Sequence, residues 1–230
     1  MKGGKNYVKK FFKKKQAISA QAVVDLRDYT PQALNNINSI EAVSLLILPE
    51  KPSSEFIEAF SKINLEAIGF KLNLPSDKKI AMFNGVTSLS SIKLADNTVG
   101  VFNGIVIVGK MIENENAQYI ANGIVLKKIG LQNNGQCLME NGLIFEMDFD
   151  ENKVKLFSNK IEIDASFIRN VQDGTLIAAG NTIIFNDDVT EEIIVEKNLQ
   201  FFAGNGIKCG KNIKGCVQSR SCVGNKIVVE

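Results

Sequence analysis

The chain of 230 residues contains no histidine, no tryptophan and only four prolines. Without histidine there is no Ser-His-Asp or Cys-His nucleophile, no imidazole metal ligand, and none of the side chains that most often transfer protons near neutral pH. These absences disfavour an enzyme without excluding one. We therefore predict no catalytic residues, no metal ligands and no cofactor.

Long apolar runs are also absent. No stretch reaches the roughly 18 consecutive apolar residues of a membrane-spanning helix. The lysine-rich start is not followed by the apolar region of a secretory signal, because residues 17–21 are too few and too polar. We expect a cytoplasmic protein, in which the four cysteines would be free thiols.

Charge is distributed unevenly along the chain. Of 27 basic side chains, seven are lysines within residues 1–16, a segment that holds none of the 25 acidic residues. The segment therefore carries a charge of +7 and the rest of the chain −5, for a net charge of +2. Because the body is acidic, we expect no binding of nucleic acid.

The basic tail, residues 1–16, has amphipathic helical spacing, with Tyr7, Val8, Phe11 and Phe12 on one face. One interpretation is binding to an anionic membrane surface, which basic amphipathic helices favour. The other is that Phe11 and Phe12 cap the end of a repeat structure. The residues predicted to contact the membrane or a partner are Lys9, Lys10, Phe11, Phe12, Lys13, Lys14 and Lys15.

Four Asn-Gly pairs recur at a strict interval of 19 residues. They are Asn84-Gly85, Asn103-Gly104, Asn122-Gly123 and Asn141-Gly142. A fixed period near 20 residues is typical of a solenoid, in which each repeat is a coil stacked on the next. Asn-Gly readily accepts positive φ, so we expect these residues to form a turn at equivalent corners, with amides hydrogen-bonded between coils.

The repeats align at other positions as well, so Phe83 should lie directly over Phe102. An alternative is that the four pairs are type I′ hairpin turns of an antiparallel meander. A meander gives no reason for equal spacing over four repeats. The sequence therefore favours a mainly β fold, a parallel β-solenoid (β-helix) with 19-residue coils over residues 81–230.

Residues 17–80 alternate strand and helix patterns, which predicts a short α/β capping segment of βα repeats. Thr30 before Pro31 and Ser53 or Ser54 before an apolar helical face are expected helix starts. The motifs at 41–43 and 66–68 lie 25 residues apart. This spacing resembles leucine-rich repeats.

The 19-residue register ends after residue 157, but strand-like runs continue, including 160–163, 175–178, 182–185, 192–195, 199–202 and 227–229. Gly-Asn corners are expected at 180–181, 204–205 and 224–225. The runs at 176–189 and 201–217 resemble bactofilin-type, polymer-forming β-helices. That resemblance implies polymerisation end to end and a short N-terminal segment that touches the membrane.

Two motifs that suggest bound ions do not meet the requirements of the chemistry. Asp148, Asp150 and Asn152 imitate a calcium loop, but Lys153 stands where its glycine is needed. Cys209, Cys216 and Cys222 lack the close pair of a zinc site, so we expect them to pack as small apolar side chains.

The function predicted from these patterns is a non-enzymatic structural or scaffold protein that self-associates as a homo-oligomer through solenoid ends. The strand-like residues 225–230 motivate it, because an uncovered last coil leaves backbone groups for another copy. One alternative is a small-ligand or carbohydrate-active protein with a site on a solenoid face. Another is a membrane-surface adaptor that uses the Lys/Phe tail.

Overall fold

The structure, a computed structural model, describes residues 16–21, 23–112, 114, 116–131 and 138–229. They fall into two compact units, the first ending at Lys78 and the second beginning at Lys79. Every strand pair in the described residues is parallel. The fold is therefore mainly β with parallel sheets, and the antiparallel meander is wrong.

The first unit is built around one long strand that pairs with three others. Its elements are β1 (Gln16–Ser19), β2 (Val23–Asp25), α1 (Pro31–Leu34), β3 (Ile37–Pro49), α2 (Ser54–Phe60) and β4 (Asn64–Leu74). In this sheet, sheet I, β3 pairs with β1 and β2 along one edge and with β4 along the other. The two helices pack on the sheet through one apolar core that includes Leu34 and Phe56.

Both predicted helix starts are confirmed. The Thr30 hydroxyl accepts a hydrogen bond from the Ala33 amide at 3.2 Å, and Ser53 accepts one from the Phe56 amide at the same distance. These bonds satisfy amide donors that the first turn of a helix leaves without a partner. Of residues 20–29, only β2 is a strand.

A residue with positive φ recurs within sheet I. Ala42 lies in the middle of β3 and Ala67 at the equivalent place in β4, each with φ of 52°. Glu41 pairs with Glu66, so the 25-residue spacing seen in the sequence is a true register between neighbouring strands. L-residues adopt this conformation at a cost that glycine does not incur.

The second unit begins with four long strands, in which paired residues of neighbouring strands are 19 positions apart in the sequence. They are β5 (Lys79–Ser88), β6 (Thr98–Val108), β7 (Gln118–Lys128) and β8 (Leu138–Met147). They form sheet II in the order β5-β6-β7-β8. The predicted register is confirmed over the whole length of these strands, with Phe83 paired to Phe102 and their rings 4.6 Å apart.

The remainder of the second unit repeats a strand, a corner and a second strand. The elements are β9 (Val154–Phe157), β10 (Lys160–Ile163), α3 (Ala165–Asn170), β11 (Leu176–Ala179), β12 (Thr182–Phe185), α4 (Glu191–Glu196), β13 (Gln200–Ala203), β14 (Gly206–Cys209), α5 (Lys214–Ser219), β15 (Ser221–Val223) and β16 (Lys226–Val229). Sheet III contains β9, β11, β13 and β15, and sheet IV contains β10, β12, β14 and β16. We call each strand–corner–strand segment a coil. Coil 1 is β9 with β10, coil 2 is β11 with β12, coil 3 is β13 with β14, and coil 4 is β15 with β16.

Helices α3, α4 and α5 correct the prediction of 19-residue β coils over this region. Equivalent residues of sheet III, Leu156, Ala178, Phe202 and Cys222, are 22, 24 and 20 positions apart, because each interval includes a helix. The run at 192–195, expected as a strand, is part of α4. Glu191 and Glu192 in its first turn suit the positive end of the helix dipole, and Ile194 is buried in the core.

Each face of sheet II is covered differently. On one face, Ile105, Ile107 and Leu126 pack against Leu176 and Phe202 of sheet III. On the other face, a second cluster that includes Phe102, Val106 and Val125 is covered by apolar residues of the loops that connect the strands, such as Leu89 and Leu94. Sheets III and IV enclose a third core together with α3, α4 and α5.

The α-helices of the described residues are four to seven residues long, and no helix there is long and apolar enough to cross a membrane.

The alanines with positive φ give a test of backbone strain. We expect Ala42→Gly to raise the free energy of unfolding of the first unit by about 0.5–1 kcal/mol, because glycine relieves a cost of about 1–2 kcal/mol and loses part of the gain to chain entropy. Ala33→Gly, in α1, should lower it by about 0.5–1 kcal/mol. Urea denaturation of the full chain would measure both, and a loss of stability in Ala42→Gly would contradict the prediction.

Candidate functional site

The side chains of the four Asn-Gly pairs form a continuous ladder across sheet II. Asn103 Nδ2 donates to Asn84 Oδ1 at 3.1 Å, Asn122 donates to Asn103 at 3.1 Å, and Asn141 donates to Asn122 at 3.0 Å. The predicted hydrogen bonding between coils is present. The prediction that these residues form corners is wrong, because each pair lies inside a continuous strand.

The glycines of this ladder do have positive φ, at 93° for Gly85, 122° for Gly104, 140° for Gly123 and 150° for Gly142. A Cβ on Gly104, Gly123 or Gly142 would lie less than 3.0 Å from the carbonyl oxygen of the preceding glycine in the row, whereas a Cβ on Gly85 meets nothing within 4 Å. Asn-Gly thus lets the strand continue with a local change of twist, because glycine supplies both the conformation and the close approach.

The true corners between strands carry a second ladder. Gly180-Asn181, Gly204-Asn205 and Gly224-Asn225 join sheets III and IV, where the sequence predicted them. Their backbones are hydrogen-bonded between coils, with the Asn205 amide donating to the Asn181 carbonyl at 2.9 Å. The side chain of Asn181 donates to Asn159 at 3.2 Å, so the ladder also includes coil 1.

Sheets II and III are offset along the stack by one strand. A Cβ on Gly180 would lie 3.0 Å from Val86, one on Gly204 would lie 2.7 Å from Ile105, and one on Gly224 would lie 3.4 Å from Ile124. These contacts match β5 with coil 2, β6 with coil 3 and β7 with coil 4. Leu143 of β8 is the next residue in the row, and no described coil lies opposite it.

Strand β8 is therefore an overhang of sheet II, and three of its apolar side chains, Met139, Leu143 and Ile144, are exposed. Its ends remain packed, because Leu138 and Met147 are buried and Phe145 contacts Phe202 of coil 3 edge-on. Leu143 is 57% exposed and Ile144 49%, although the residues at the position of Leu143 in β6 and β7 pack against coils 3 and 4. In the described residues, β8 pairs with β7 only, so the backbone along its other edge has no strand partner. We call the surface formed by β8, β15 and β16 the open end.

The opposite end of the stack has the complementary step. Coil 1 extends one strand beyond β5, and Leu156, which faces the side of sheet III that packs on sheet II, is 38% exposed. Its counterparts Ala178 and Phe202 are buried in the contact between the sheets. The two overhangs together leave one apolar row incomplete at each end.

The cysteines behave as the sequence predicted. Cys209 and Cys216 are buried in the core of coils 3 and 4, and Cys222 packs against the contact between sheets II and III. Burial raises the pKa of all three thiols, which lowers the fraction of reactive thiolate. In the described residues, no group of three or more Cys, Asp or Glu side chains could hold a metal ion.

Two cavities of moderate size lie in the second unit. One of about 340 Å³ lies between the loops at 89–94 and 110–112 and is lined by apolar side chains together with Lys93 and Lys110. The other, of about 430 Å³, is more polar and is lined by Asp148, Asp150 and other residues near the segment that leads to β9. In that segment Asp150 accepts a hydrogen bond from the Asn152 amide at 3.0 Å, which makes it a local turn.

The tail residues predicted to bind a membrane or partner, Lys9 to Lys15, lie outside the described residues, so that hypothesis stays a prediction.

Comparisons of the chain with protein-family models, curated proteins and solved structures found no match. The resemblances to bactofilins and to leucine-rich repeats therefore stay predictions.

The sequence reasoning did not identify Leu143, Ile144 and Leu156 as surface residues. Each belongs to a mainly apolar row whose other members are buried or half-buried, so its residue type alone does not mark it as exposed. The count of repeats gives no signal either, because the four strands of sheet II face a series of four coils.

The glycine row of sheet II predicts unequal effects for the same substitution. Gly104→Ala adds a clash with a backbone carbonyl to the strain of positive φ, so we expect a loss well above 3 kcal/mol and failure of the second unit to fold stably. Gly85→Ala adds only the conformational strain, about 1–3 kcal/mol. Thermal unfolding followed by circular dichroism would compare them, and equal losses would contradict this account.

Proposed function

We propose that this chain is a structural scaffold protein, without enzymatic activity, that self-associates through the open end of a β-solenoid formed by its second unit. The solenoid is supported by the parallel pairing of four successive strands in sheets II, III and IV. It is also supported by the two asparagine ladders, because equivalent residues of successive repeats lie over one another. A cytoplasmic location is part of this proposal.

The overhang of β8 is the observation that carries the proposal. Leu143 continues a row in which Val86, Ile105 and Ile124 each pack on the glycine corner of a coil. Its own counterpart is absent from the described residues, so an apolar side chain is left facing solvent beside a strand edge. Fully burying such a side chain stabilises an interface by about 1.5–3 kcal/mol.

The backbone of the open end supplies the second part of the attraction. Strand edges with unpaired N–H and C=O groups are templates for another strand, and proteins commonly protect them with charge, proline or a covering loop. The middle of β8 carries neither charge nor proline: residues 141–145 are uncharged and contain no proline. A second copy of the chain can bury this edge, and with it Leu143 and Ile144 of both copies.

A second candidate function is the binding of a small ligand on the other face of sheet II. The cavity of about 340 Å³ between the connecting loops supports it, because apolar side chains and lysines line the same space. Pockets that bind small molecules combine an apolar lining with a few polar groups in this way.

The open end can be tested with one charge. In sedimentation-velocity measurements over a range of concentrations, we expect the unmodified chain to form an oligomer and Leu143→Lys to be a monomer, because the lysine would have to be desolvated in the interface. The expected weakening of association is at least tenfold. Ile57→Lys is the matched control, since Ile57 lies on α2 of the first unit and is exposed to the same degree, 54%.

The control variant should sediment like the unmodified chain. An unmodified chain that stays monomeric at the highest concentrations would contradict the proposal, as would equal weakening in both variants.

A further inference from the structure

The corner row between sheets III and IV contains one residue that differs from the others. Coils 2, 3 and 4 have Gly180, Gly204 and Gly224 at this position. Register places Ser158 of coil 1 in the same row, because Phe157 pairs with Ala179 and the Asn181 amide donates to the carbonyl of Asn159. Coil 1 therefore has a side chain where every later coil has none.

The glycines of this row are required by close approach. A Cβ on Gly180 would meet the carbonyl oxygen of Ser158, one on Gly204 that of Gly180, and one on Gly224 that of Gly204, each at less than 3.0 Å. The atom met is a backbone oxygen that is fixed by the strands on either side. A coil can thus lie on a preceding coil at the native spacing only if its corner residue is glycine.

The same rule applies to a second copy placed before coil 1. In head-to-tail stacking, coil 4 of one copy would occupy the place before coil 1 of the next, and the Gly224 carbonyl would point at Ser158. The Ser158 Cβ would then lie less than 3.0 Å from that oxygen, as a Cβ would at each of the three glycines of this row.

Charge opposes the same arrangement. Continuing the register of sheet IV by one strand puts Lys226 directly opposite Lys160 of the next copy. Like charges in directly opposed positions of neighbouring strands are destabilising. Glu162 lies two residues from Lys160 and pairs with it at 2.6 Å, which reduces this repulsion without removing the steric conflict.

We infer that Ser158 is a steric stop that closes the coil 1 end of the stack to a second copy of this chain, so that copies associate through the open end alone. The inference rests on the proposed self-association. A stop at this end determines whether the oligomer is a fibre or a closed dimer. Head-to-tail contacts repeat without limit and give fibres, whereas a contact between two open ends uses the same surface on both copies and closes as a dimer.

The open end has no such block. At coil 4 the corner residue is Gly224, and its carbonyl lies where the preceding members of the row each accept the close approach of a glycine. At the corner row, the two ends therefore differ by one Cβ atom, that of Ser158. Removing that atom should permit the stacking that the native chain avoids.

The test traps head-to-tail contacts with a disulfide. In the head-to-tail register Leu156 lies opposite Cys222 of the other copy, on neighbouring strands about 4.8 Å apart, a span that a disulfide accepts. Within one chain, Leu156 and Cys222 are three strands apart, about 14 Å, which prevents an internal bond. The variants are full-length Leu156→Cys with either Ser158→Gly or Ser158→Ala, each also carrying Cys137→Ser.

Under mild oxidation, we expect Ser158→Gly to give a ladder of dimers, trimers and larger species on a non-reducing gel, at least tenfold more abundant than in Ser158→Ala. Ser158→Ala keeps the Cβ and removes only the hydroxyl, so it is the matched control. The yield of cross-linked species should increase with salt concentration, because salt screens the repulsion between Lys160 and Lys226. Adding Leu143→Lys to the glycine variant should abolish it.

The outcomes separate this inference from the proposed function. A ladder in Ser158→Ala equal to that in Ser158→Gly, or no ladder in either while the unmodified chain forms oligomers, overturns the steric stop and leaves the scaffold proposal standing. An unmodified chain that is monomeric while Ser158→Gly forms the ladder supports the stop and overturns the proposed function. If the unmodified chain forms oligomers whose size increases without limit, the steric stop is overturned.

Discussion

The close approach of a glycine Cα to the carbonyl oxygen of the neighbouring strand is the constraint on which the second unit depends. It occurs in two rows, one within sheet II and one at the corner between sheets III and IV. At each row the neighbouring strands come too near for any Cβ, so the register of every strand is fixed to the residue. A shift by one position would place Asn103 or Ile105 against the carbonyl and turn each apolar face outward.

The asparagine ladders follow from that fixed register. For each asparagine amide to donate to the next, identical residues must recur at a constant spacing between strands. The glycine beside each asparagine provides that constant spacing. Each bond contributes about 0.5–1.5 kcal/mol, so the ladder is a modest term beside the apolar contacts. Burial of Ile105, Ile107 and Leu126 against sheet III is the larger one, since each such side chain contributes about 1.5–3 kcal/mol.

The sequence predicted the register of sheet II and two helix starts, because these depend on local residues and on a strict period. It misplaced the Asn-Gly pairs, since the same dipeptide that suits a tight turn also suits a positive φ inside a strand. It also assigned Ile193, Ile194 and Val195 to a strand on their β-branched side chains, where acidic residues in the first turn and burial of Ile194 produce a helix. Which strand faces which coil could not be predicted, because that match depends on contacts between sheets with no common period.

The offset between the sheets has a source in the path of the chain. After β8 the chain must return to the other end of the stack to begin coil 1, and the segment 148–153 makes this return along the strand ends. The Ile129 amide donates to the Met147 carbonyl at 3.1 Å, a Cβ on Gly109 would lie 2.7 Å from Glu151, and Lys153 Nζ donates to the Asp173 carbonyl at 3.1 Å. The segment thus passes β7, then β6, and reaches the level of coil 2 before β9 begins.

Because the return segment continues past the level of β5, coil 1 extends beyond sheet II at that end, and β8 extends beyond coil 4 at the other. The step exposes Leu143 at one end and Leu156 at the other, in two different sheets. The two ends therefore present different residues to solvent, Leu143 and the edge of β8 at one and Leu156 and Ser158 at the other.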